Sequence, residues 1–436
     1  MEKIKQNILK IILSCLAFIL LWIIMMGLLD YDTVIYEFNP IILMIGIPIY
    51  IILLKKIYTN LIPKIIDIKI VPYILIGLFS IVAIKFGQSL KLNPSWDMGS
   101  VYKIAENFVN TGSMPSTYLY SFPNNVGIAI VYTILFKISS LIGITNYLTV
   151  TTIFNSLIVI LSVILMYLIT KKVFNKEKGL MVLIISLFTT PFYMYTAIYY
   201  TDTLSMFMML LIAYTYILVK DISKENKFKK ILGNVILSII IFIGFKIKIT
   251  TIFIVIAYFV YSIFSKKNKI EYKNLFIMII TMLLMIISYN IIENNIILRN
   301  KEISDKCKYP IEHWIVMGLK GTGTYNPEQY DYINQFKTYN EKKKMAKIQI
   351  KEKLKEYNAN SFIKHLNDKL KYAWTDGSYF APGKLGIKPI NNSIIHKFVL
   401  PQGKYVKYYK YIPQVMHMSM LVLIFIGIIS IIKSKK

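Results

Sequence analysis

Long apolar blocks are the feature that most constrains how this chain can fold. The blocks run for roughly 17–24 residues, the length that a helix needs to cross about 30 Å of hydrocarbon at about 1.5 Å per residue. The first block occupies residues 8–29 and is too long for a signal-peptide core, so we expect it to be retained as a span. Since 56% of the 436 residues are hydrophobic, a water-soluble globular fold is excluded. The sequence therefore predicts an all-α polytopic membrane protein.

Lysine clusters between the blocks predict which side of the membrane each loop occupies, because short cytoplasmic loops retain Lys and Arg. Two such clusters contain Lys55 and Lys56, and Lys171 and Lys172. This topological signal accounts for the net charge of +28, and nucleic-acid binding is not expected. We expect about ten crossings with both termini in the cytoplasm. The expected spans are residues 8–29, 38–54, 70–88, 147–170, 180–198, 203–219, 231–245, 249–264, 275–292 and 415–432.

One further apolar stretch, residues 126–144, would break this alternation if it crossed the membrane. Lys137 interrupts its middle, and Pro123, Asn124 and Asn125 precede it. A crossing here would place the lysine cluster at residues 171–178 outside the cell. We therefore expect this stretch to lie along the outer interface.

The chain divides into four expected parts. These are a two-span N-terminal hairpin at residues 1–69, a membrane module at 70–292 with outer loops at 89–146 and 199–203, an extracytoplasmic helix-rich domain at 293–412, and the last span with a basic tail at 413–436. The single arginine, Arg299, and the abundance of Ile, Lys, Asn and Tyr are typical of an AT-rich genome. They indicate the plasma membrane of a bacterium.

Two outer loops each carry an acid beside aromatic residues. Asp97 follows Pro94, Ser95 and Trp96, and it is a candidate general base; the alternative is that it only caps a helix beginning near Met98. Asp202 lies in the second outer loop, and its alternative role is to cap the helix from Thr203. Both acids could face one cleft.

Two lysines, Lys246 and Lys248, lie in a tight outer turn where the positive-inside rule disfavours them. Ammonium groups at the outer headgroup level suit a phosphate or pyrophosphate on a lipid carrier. The alternative is that both lysines snorkel to lipid headgroups. Arg299 could join them as a clamp or could be a surface arginine.

The remaining candidates lie in the expected extracytoplasmic domain. His313 begins an apolar aromatic run punctuated by Gly321 and Gly323, which could cover a membrane cleft or form ordinary domain core. Asp376 and Gly377 most simply form a turn. The four histidines show no metal-ligand spacing, and the two cysteines, Cys15 and Cys307, are not expected to pair.

The order of these features resembles that of the membrane glycosyltransferases of the C-type fold, in particular the group of protein O-mannosyltransferases and bacterial lipid A aminoarabinose transferases. The likeness rests on Asp97 in a long first outer loop, on Asp202 in a short second one, and on the basic turn at Lys246 and Lys248. It covers about residues 70–292 and depends on position more than on identical letters.

Two departures accompany this resemblance. An extra N-terminal hairpin precedes the shared module, and Asn124 and Asn125 stand where many relatives have His-Pro-Pro. The second departure leaves the acceptor type open. The outer segment with His313 and Trp314 is similar to a group of uncharacterised integral membrane proteins of low-GC Gram-positive bacteria.

The resemblance implies a GT-C-like helix bundle that moves a sugar from a polyprenyl-phosphate donor to an extracytoplasmic cell-wall or surface glycan. Asp97 is the implied base, and Lys246, Lys248 and Arg299 are the implied phosphate ligands. Asp202 would orient the acceptor or, with Asp97, hold a divalent cation such as Mg²⁺ or Mn²⁺. Further candidates for sugar contacts are Trp96, Asn124, Asn125, Tyr200 and His313.

Two other classes stay open at this point. A polyprenyl-linked glycan polymerase shares the large outer segment and its Tyr-rich surface. A glycan flippase would also be basic and polytopic, but flippases usually lack a large outer domain and carry charge within their spans.

Overall fold

The fold is all-α. The computed structural model describes residues 2–29, 36–112, 116–222, 226–264 and 272–434. Residues 113–115 of the expected first outer loop and residues 435–436 of the basic tail lie outside these ranges. In the described ranges, the one extended pairing is an isolated antiparallel bridge between Leu92 and Pro389.

The chain forms 23 α-helices in these ranges. The first eleven are α1 (Glu2–Leu29), α2 (Pro40–Lys56), α3 (Ile62–Ile65), α4 (Val71–Ser89), α5 (Trp96–Thr111), α6 (Thr117–Ser121), α7 (Val126–Leu141), α8 (Tyr147–Val173), α9 (Lys176–Phe188), α10 (Thr190–Tyr195) and α11 (Thr201–Asp221). The others are α12 (Lys227–Ile247), α13 (Ile252–Phe264), α14 (Tyr272–Ile292), α15 (Lys301–Cys307), α16 (Ile311–Gly318), α17 (Pro327–Asn334), α18 (Tyr339–Glu356), α19 (Ala359–Trp374), α20 (Ala381–Leu385), α21 (His396–Val399), α22 (Val406–Tyr409) and α23 (Tyr411–Ser434). Short π-helices at Ile57–Leu61 and Glu293–Ile297 and 3₁₀ turns at Pro123–Asn125 and Ile249–Thr251 join some of them.

Asparagine side chains set many of the helix starts. Asn146, Asn175 and Asn226 each accept a hydrogen bond from the backbone N–H three residues later, at the starts of α8, α9 and α12. Such caps satisfy one of the backbone donors that a helix leaves unpaired in its first turn. Asparagine residues therefore stabilise the N-termini of helices where the chain re-enters the bundle.

Nine helical stretches among the described residues are long and apolar enough to cross a membrane. They are Gln6–Leu29, Pro40–Ile65, Val71–Ser89, Pro123–Leu141, Tyr147–Val173, Thr201–Asp221, Lys227–Ile247, Tyr272–Asn295 and Val406–Ser434. Their outward faces leave large apolar side chains such as Tyr73, Phe276 and Leu284 exposed. Such surfaces suit lipid and not water. The predicted all-α polytopic membrane fold is confirmed.

The bundle has two chemically different ends. At one end, the Lys172 ammonium pairs with the Asp221 carboxylate at 2.7 Å, beyond the apolar parts of α8 and α11; we name this the basic end. At the other end, Gln88 Nε2 donates to Thr152 Oγ1 at 2.9 Å, so the end of α4 meets the beginning of α8. Residues 298–412 cover this second end, which we name the domain end.

Helix α7 lies along the domain end. Its first turn adjoins Asn125, which bonds to Tyr200 at this end, and Phe136 near its far end stacks on Tyr147, the first residue of α8, with 4.5 Å between ring centroids. If α7 crossed the membrane, its C-terminus would lie at the basic end. Although α7 is long and apolar enough to span, this geometry supports the expected placement along the interface.

The expected span 180–198 differs from the structure. It is divided into α9 and α10 at Thr189, because Pro191 in the first turn of α10 starts a new helix and cannot continue the preceding backbone hydrogen bonds. The chain still connects both ends. A Cβ at Gly179 would lie 3.2 Å from the Lys171 Cβ at the basic end, and the Tyr195 carbonyl accepts from Asn155 at the domain end. The expected crossing is therefore made by two helices instead of one.

Helix α13 has 13 residues and is shorter than a full span. It too runs between the ends, because Ile249 before it lines the cavity described below, and Lys220 lies over the ring of Tyr261 near its other end. Among the described residues, the eight long helices other than α7, together with the α9–α10 pair and α13, make ten candidate passages between the two ends. This number agrees with the expected topology.

The second half of the outer segment packs into the bundle. Ala381, Leu385, Val399 and Leu400 are buried in the same core cluster as Met98 of α5. The first half, α15 to α18, has a smaller core of its own around Tyr309, Val316, Ile333 and Ala346. Residues 298–412 therefore form a cover that is anchored mainly through its C-terminal part.

Candidate functional site

A tight turn before α5 places Asp97 at the domain end. Ser95 is the N-cap residue, and Trp96 adopts a left-handed φ of 43°, which is costly for a bulky residue. Gly99 permits this turn, since a Cβ there would lie 2.5 Å from the carbonyl carbon of Pro94. Asp97 lies in the first turn of α5 and is not its cap, so the alternative that Asp97 only caps a helix near Met98 is wrong.

A chain of hydrogen bonds joins Asp97 to the second outer loop. Tyr200 Oη donates to Asn125 Oδ1 at 2.7 Å, and Asn125 Nδ2 donates to Tyr118 Oη at 2.7 Å. Tyr118 Oη in turn donates to Asp97 Oδ1 at 2.8 Å. The structure thus brings together three residues that the sequence singled out, and it adds Tyr118.

Tyr118 is the one residue in this chain of hydrogen bonds that the sequence did not indicate. Burial, followed by the proximity of Tyr200 and Asp97, raises the pKa of its phenol above the ordinary value. The phenol therefore stays protonated and acts as a donor to the carboxylate. The one available signal was the pair of tyrosines at positions 118 and 120, and it was weak because the same loop also carries several serines, threonines and asparagines.

A large cavity of about 1430 Å³ opens beside this chain of hydrogen bonds. Its wall on the bundle side contains five of the predicted site residues, Trp96, Asp97, Asn124, Asn125 and Tyr200. Its wall on the cover side is aromatic and contains Tyr309, Trp314, Tyr325, Tyr330 and Tyr339. Three lysines, Lys103, Lys308 and Lys388, and one aspartate, Asp97, are the charged residues of the lining, so the cavity is electropositive.

Asp202 accepts from two lysines. Lys248 Nζ donates to Asp202 Oδ1 at 2.5 Å, and Lys384 Nζ donates to Asp202 Oδ2 at 3.0 Å. Each of the three side chains is about one-third exposed. The N-cap of α11 is Tyr200, so the alternative that Asp202 only caps this helix is wrong.

A divalent cation does not fit between Asp97 and Asp202. Both carboxylate oxygens of Asp202 already face ammonium groups, which repel a cation and neutralise the ligand. The described part of the chain also lacks any group of three or more His, Cys, Asp or Glu side chains that could hold a metal. The arrangement can hold an anion beside the lysines more readily than a cation.

A hydrogen-bonded turn at residues 376–380 positions Lys384 next to Asp202. Asp376 Oδ1 accepts from the backbone N–H and the hydroxyl of Ser378, and its Oδ2 accepts from the Phe380 N–H. Tyr379 and Phe380 have left-handed φ values of 52° and 64°, conformations that persist only where surrounding contacts impose them. One such contact is the bond from Tyr195 Oη to the Tyr379 carbonyl at 2.6 Å. The predicted turn at Asp376 and Gly377 is thus present, and it positions a lysine.

Lys246 and Arg299 lie apart from this arrangement. The Lys246 ammonium lies 3.7 Å from the ring centroid of Tyr289 on α14. Arg299 is exposed. Lys246, Lys248 and Arg299 all lie outside the cavity lining, and their predicted joint role as phosphate ligands stays a prediction.

His313 lies behind the aromatic wall. It is fully buried and stacks on Tyr309 at 4.9 Å between ring centroids, with Trp314 at 5.0 Å. Neither ring nitrogen has a hydrogen-bond partner among the described residues. Burial, followed by the nearby Lys342 cation, lowers the pKa of His313 to about 4. This arrangement agrees with the domain-core alternative; His313 supports the wall and does not itself line the cavity.

These features define a multi-pass integral membrane protein with an electropositive, aromatic cavity at one end of its helix bundle. The chain belongs to a family described as "Conserved hypothetical integral membrane protein", whose family model matches residues 4–434. No curated protein and no solved structure matches the chain.

Proposed function

We propose that this protein is a glycosyltransferase that moves a sugar from a polyprenyl-phosphate donor to a glycan acceptor on the outer face of a bacterial plasma membrane. The observation that carries the proposal is Asp97, a carboxylate oriented by Tyr118 in the wall of a large aromatic cavity at the domain end. Aromatic rings stack on the apolar faces of sugars, and hydroxyl and amide groups bond to sugar hydroxyls. The cavity offers both.

In the proposed reaction, every bond that forms is matched by a bond that breaks. The acceptor hydroxyl oxygen attacks the anomeric carbon of the donor sugar, and Asp97 takes the hydroxyl proton. The bond between the anomeric carbon and the phosphate oxygen breaks, and its electron pair leaves with the lipid phosphate. The new glycosidic bond replaces it, so no oxidant or reductant is needed.

Lys248 and Lys384 are the proposed phosphate ligands. They come from distant parts of the chain and meet at Asp202, beside the cavity residues Tyr200 and Ile249. Their two ammonium groups exceed the single carboxylate by one positive charge, which favours a phosphate. Asp202 is then a positioning residue that holds both lysines in place, and a metal is not part of the proposal.

A glycan polymerase is the second candidate. Cavities that hold one small ligand are typically about 300–1,000 Å³, and this one is about 1430 Å³. The extra room suits an acceptor of several sugar units. Both candidates use the same base and the same lysines.

The proposal is tested in cells. Strains carrying wild-type protein, Asp97→Asn, or a deletion are compared for wall-glycan composition and for polyprenyl-phosphate sugars. We expect Asp97→Asn to match the deletion, with one wall sugar lost and its lipid donor accumulated. Asp368→Asn is the matched control, because Asp368 is exposed on α19 and should leave both unchanged. Normal walls with Asp97→Asn would refute the role of Asp97, and accumulation of the donor on the cytoplasmic leaflet alone would favour a flippase.

A further inference from the structure

A second cavity lies toward the basic end of the bundle, at the opposite end from Asp97. It has a volume of about 580 Å³ and is enclosed by α8, α11, α12, α13 and α14. Its inner walls are apolar and include Ile212, Ile241, Val255 and Met278. Small side chains leave this space open, since α11 contributes Ala213 and α13 contributes Ala257.

The mouth of this cavity is basic. Lys172, Lys220 and Asp221 line it, so the charged groups sum to one positive charge. Lys172 is held by Asp221 at 2.7 Å. The Lys220 ammonium lies 5.9 Å from the ring centroid of Tyr261, an aromatic contact that leaves its charge uncompensated by that residue.

The position of the mouth relative to the bilayer follows from the lysines. By the positive-inside rule the basic end faces the cytoplasm, which places Lys172 and Lys220 at the inner headgroup level. The apolar walls then extend from that level into the hydrocarbon region. Basic pockets between membrane helices on the cytoplasmic side bind anionic lipid headgroups.

We propose that this cavity is a binding site for an anionic phospholipid of the inner leaflet. One acyl chain fills the space beside Ala213 and Ala257, and the phosphate lies between Lys172 and Lys220. An acyl chain matches the apolar walls, and an anionic headgroup matches the basic mouth. This inference does not depend on the proposed transferase activity, because it concerns the opposite end of the bundle.

The test uses the full-length protein purified in a mild detergent, with phosphatidylglycerol or phosphatidylcholine added and bound lipid counted by native mass spectrometry. We expect one phosphatidylglycerol to be retained preferentially over phosphatidylcholine. Lys220→Gln should weaken this binding about fivefold, the effect of about 1 kcal/mol for one lysine at a membrane surface. Lys229→Gln is the control, because Lys229 is an exposed lysine at the start of α12 and lies outside the cavity.

Filling the cavity provides a second, charge-neutral test. Ala257→Phe should abolish the retained lipid, and Ala213→Phe serves the same purpose if the first variant does not fold. Equal retention by wild type, Lys220→Gln and the filled variant would overturn the proposal. Retention of added polyprenyl phosphate in preference to phosphatidylglycerol would also overturn the assignment to a phospholipid.

Discussion

Asp97 is positioned by one phenol. Tyr118 Oη donates to Oδ1, and that phenol also accepts from Asn125, so its hydrogen is directed at the carboxylate. An oriented carboxylate reaches a substrate hydroxyl at a reproducible distance, which proton transfer requires. The aromatic and polar residues of the outer loops indicated Asp97, Asn125 and Tyr200. Tyr118 could not be predicted, because its hydrogen bond to Asp97 depends on how two turns of the same loop fold together.

Tyr118→Phe tests this positioning role. Removal of a hydrogen bond to a charged group costs about 1.5–3 kcal/mol, so we expect the turnover of donor to fall about 10–100-fold with a smaller change in apparent donor affinity. Turnover is measured by mass spectrometry of lipid-linked sugars in membranes. Tyr120→Phe is the control, because its phenol accepts from the Asn300 N–H and not from Asp97. Unchanged turnover for Tyr118→Phe would contradict the role.

Lys384→Gln tests the contact between the cover and the bundle. Loss of one charged hydrogen bond at a side chain that is about one-third exposed should lower the stability by about 1–2 kcal/mol. Thermal unfolding of the purified protein measures this. Lys397→Gln carries the same charge change on an exposed lysine and should leave the unfolding temperature unchanged. Equal unfolding temperatures for both variants would show that the bond to Asp202 contributes nothing.

At the scale of elements, apolar length and lysine position predicted most helices. The hydrophobic blocks gave α1, α4, α8, α11, α12, α14 and α23 with small differences at their ends. The break between α9 and α10 was missed, although Pro191 signalled it. The interfacial placement of residues 126–144 was predicted only from the positions of the lysines, because the length and composition of this stretch alone indicate a span.

Gly127 is the position at which α7 packs against α12. A Cβ there would lie 2.1 Å from the Lys246 carbonyl oxygen, so Gly127→Ala must displace one helix. We expect a loss of stability of about 1–3 kcal/mol or more, seen as a lower unfolding temperature. Gly77→Ala is the control, since nothing lies within 4 Å of a Cβ at Gly77. A neutral Gly127→Ala would show that α7 does not pack here.

We expect the stability of the cover to fall at acidic pH because of His313. Its pKa is lowered from 6.5 to about 4, so the folded state favours the neutral ring and the unfolded state binds more protons between these values. This contribution to stability is complete above about pH 6.5 and is lost as the pH falls toward 4, by about 3 kcal/mol at most. Unfolding temperatures between pH 7.5 and 4.5 measure it. His313→Leu should show a shallower decline; the same decline in both proteins would contradict the assignment.

For the whole molecule, the two ends of the bundle carry different chemistry. The domain end holds an aromatic cavity with one carboxylate, and the basic end holds lysines at the mouth of an apolar cavity. The sequence predicted this difference between the ends, because the lysines in the loops indicate which side of the membrane each loop occupies. It could not predict that residues 375–403 enter the bundle core, since the contacts of Lys384 with Asp202 and of Asn93 with Lys388 join positions about 180–300 residues apart.

The proposed transferase activity is measured most directly as donor turnover in isolated membranes. Lipids extracted from the deletion strain are supplied to membranes that contain wild-type protein or Asp97→Asn at matched abundance, and polyprenyl-phosphate sugar and free polyprenyl phosphate are quantified by mass spectrometry. We expect wild type to consume the sugar-bearing lipid and to release polyprenyl phosphate, and we expect Asp97→Asn to leave the donor intact. Equal turnover by both proteins, or none by wild type, would contradict the proposed transferase activity.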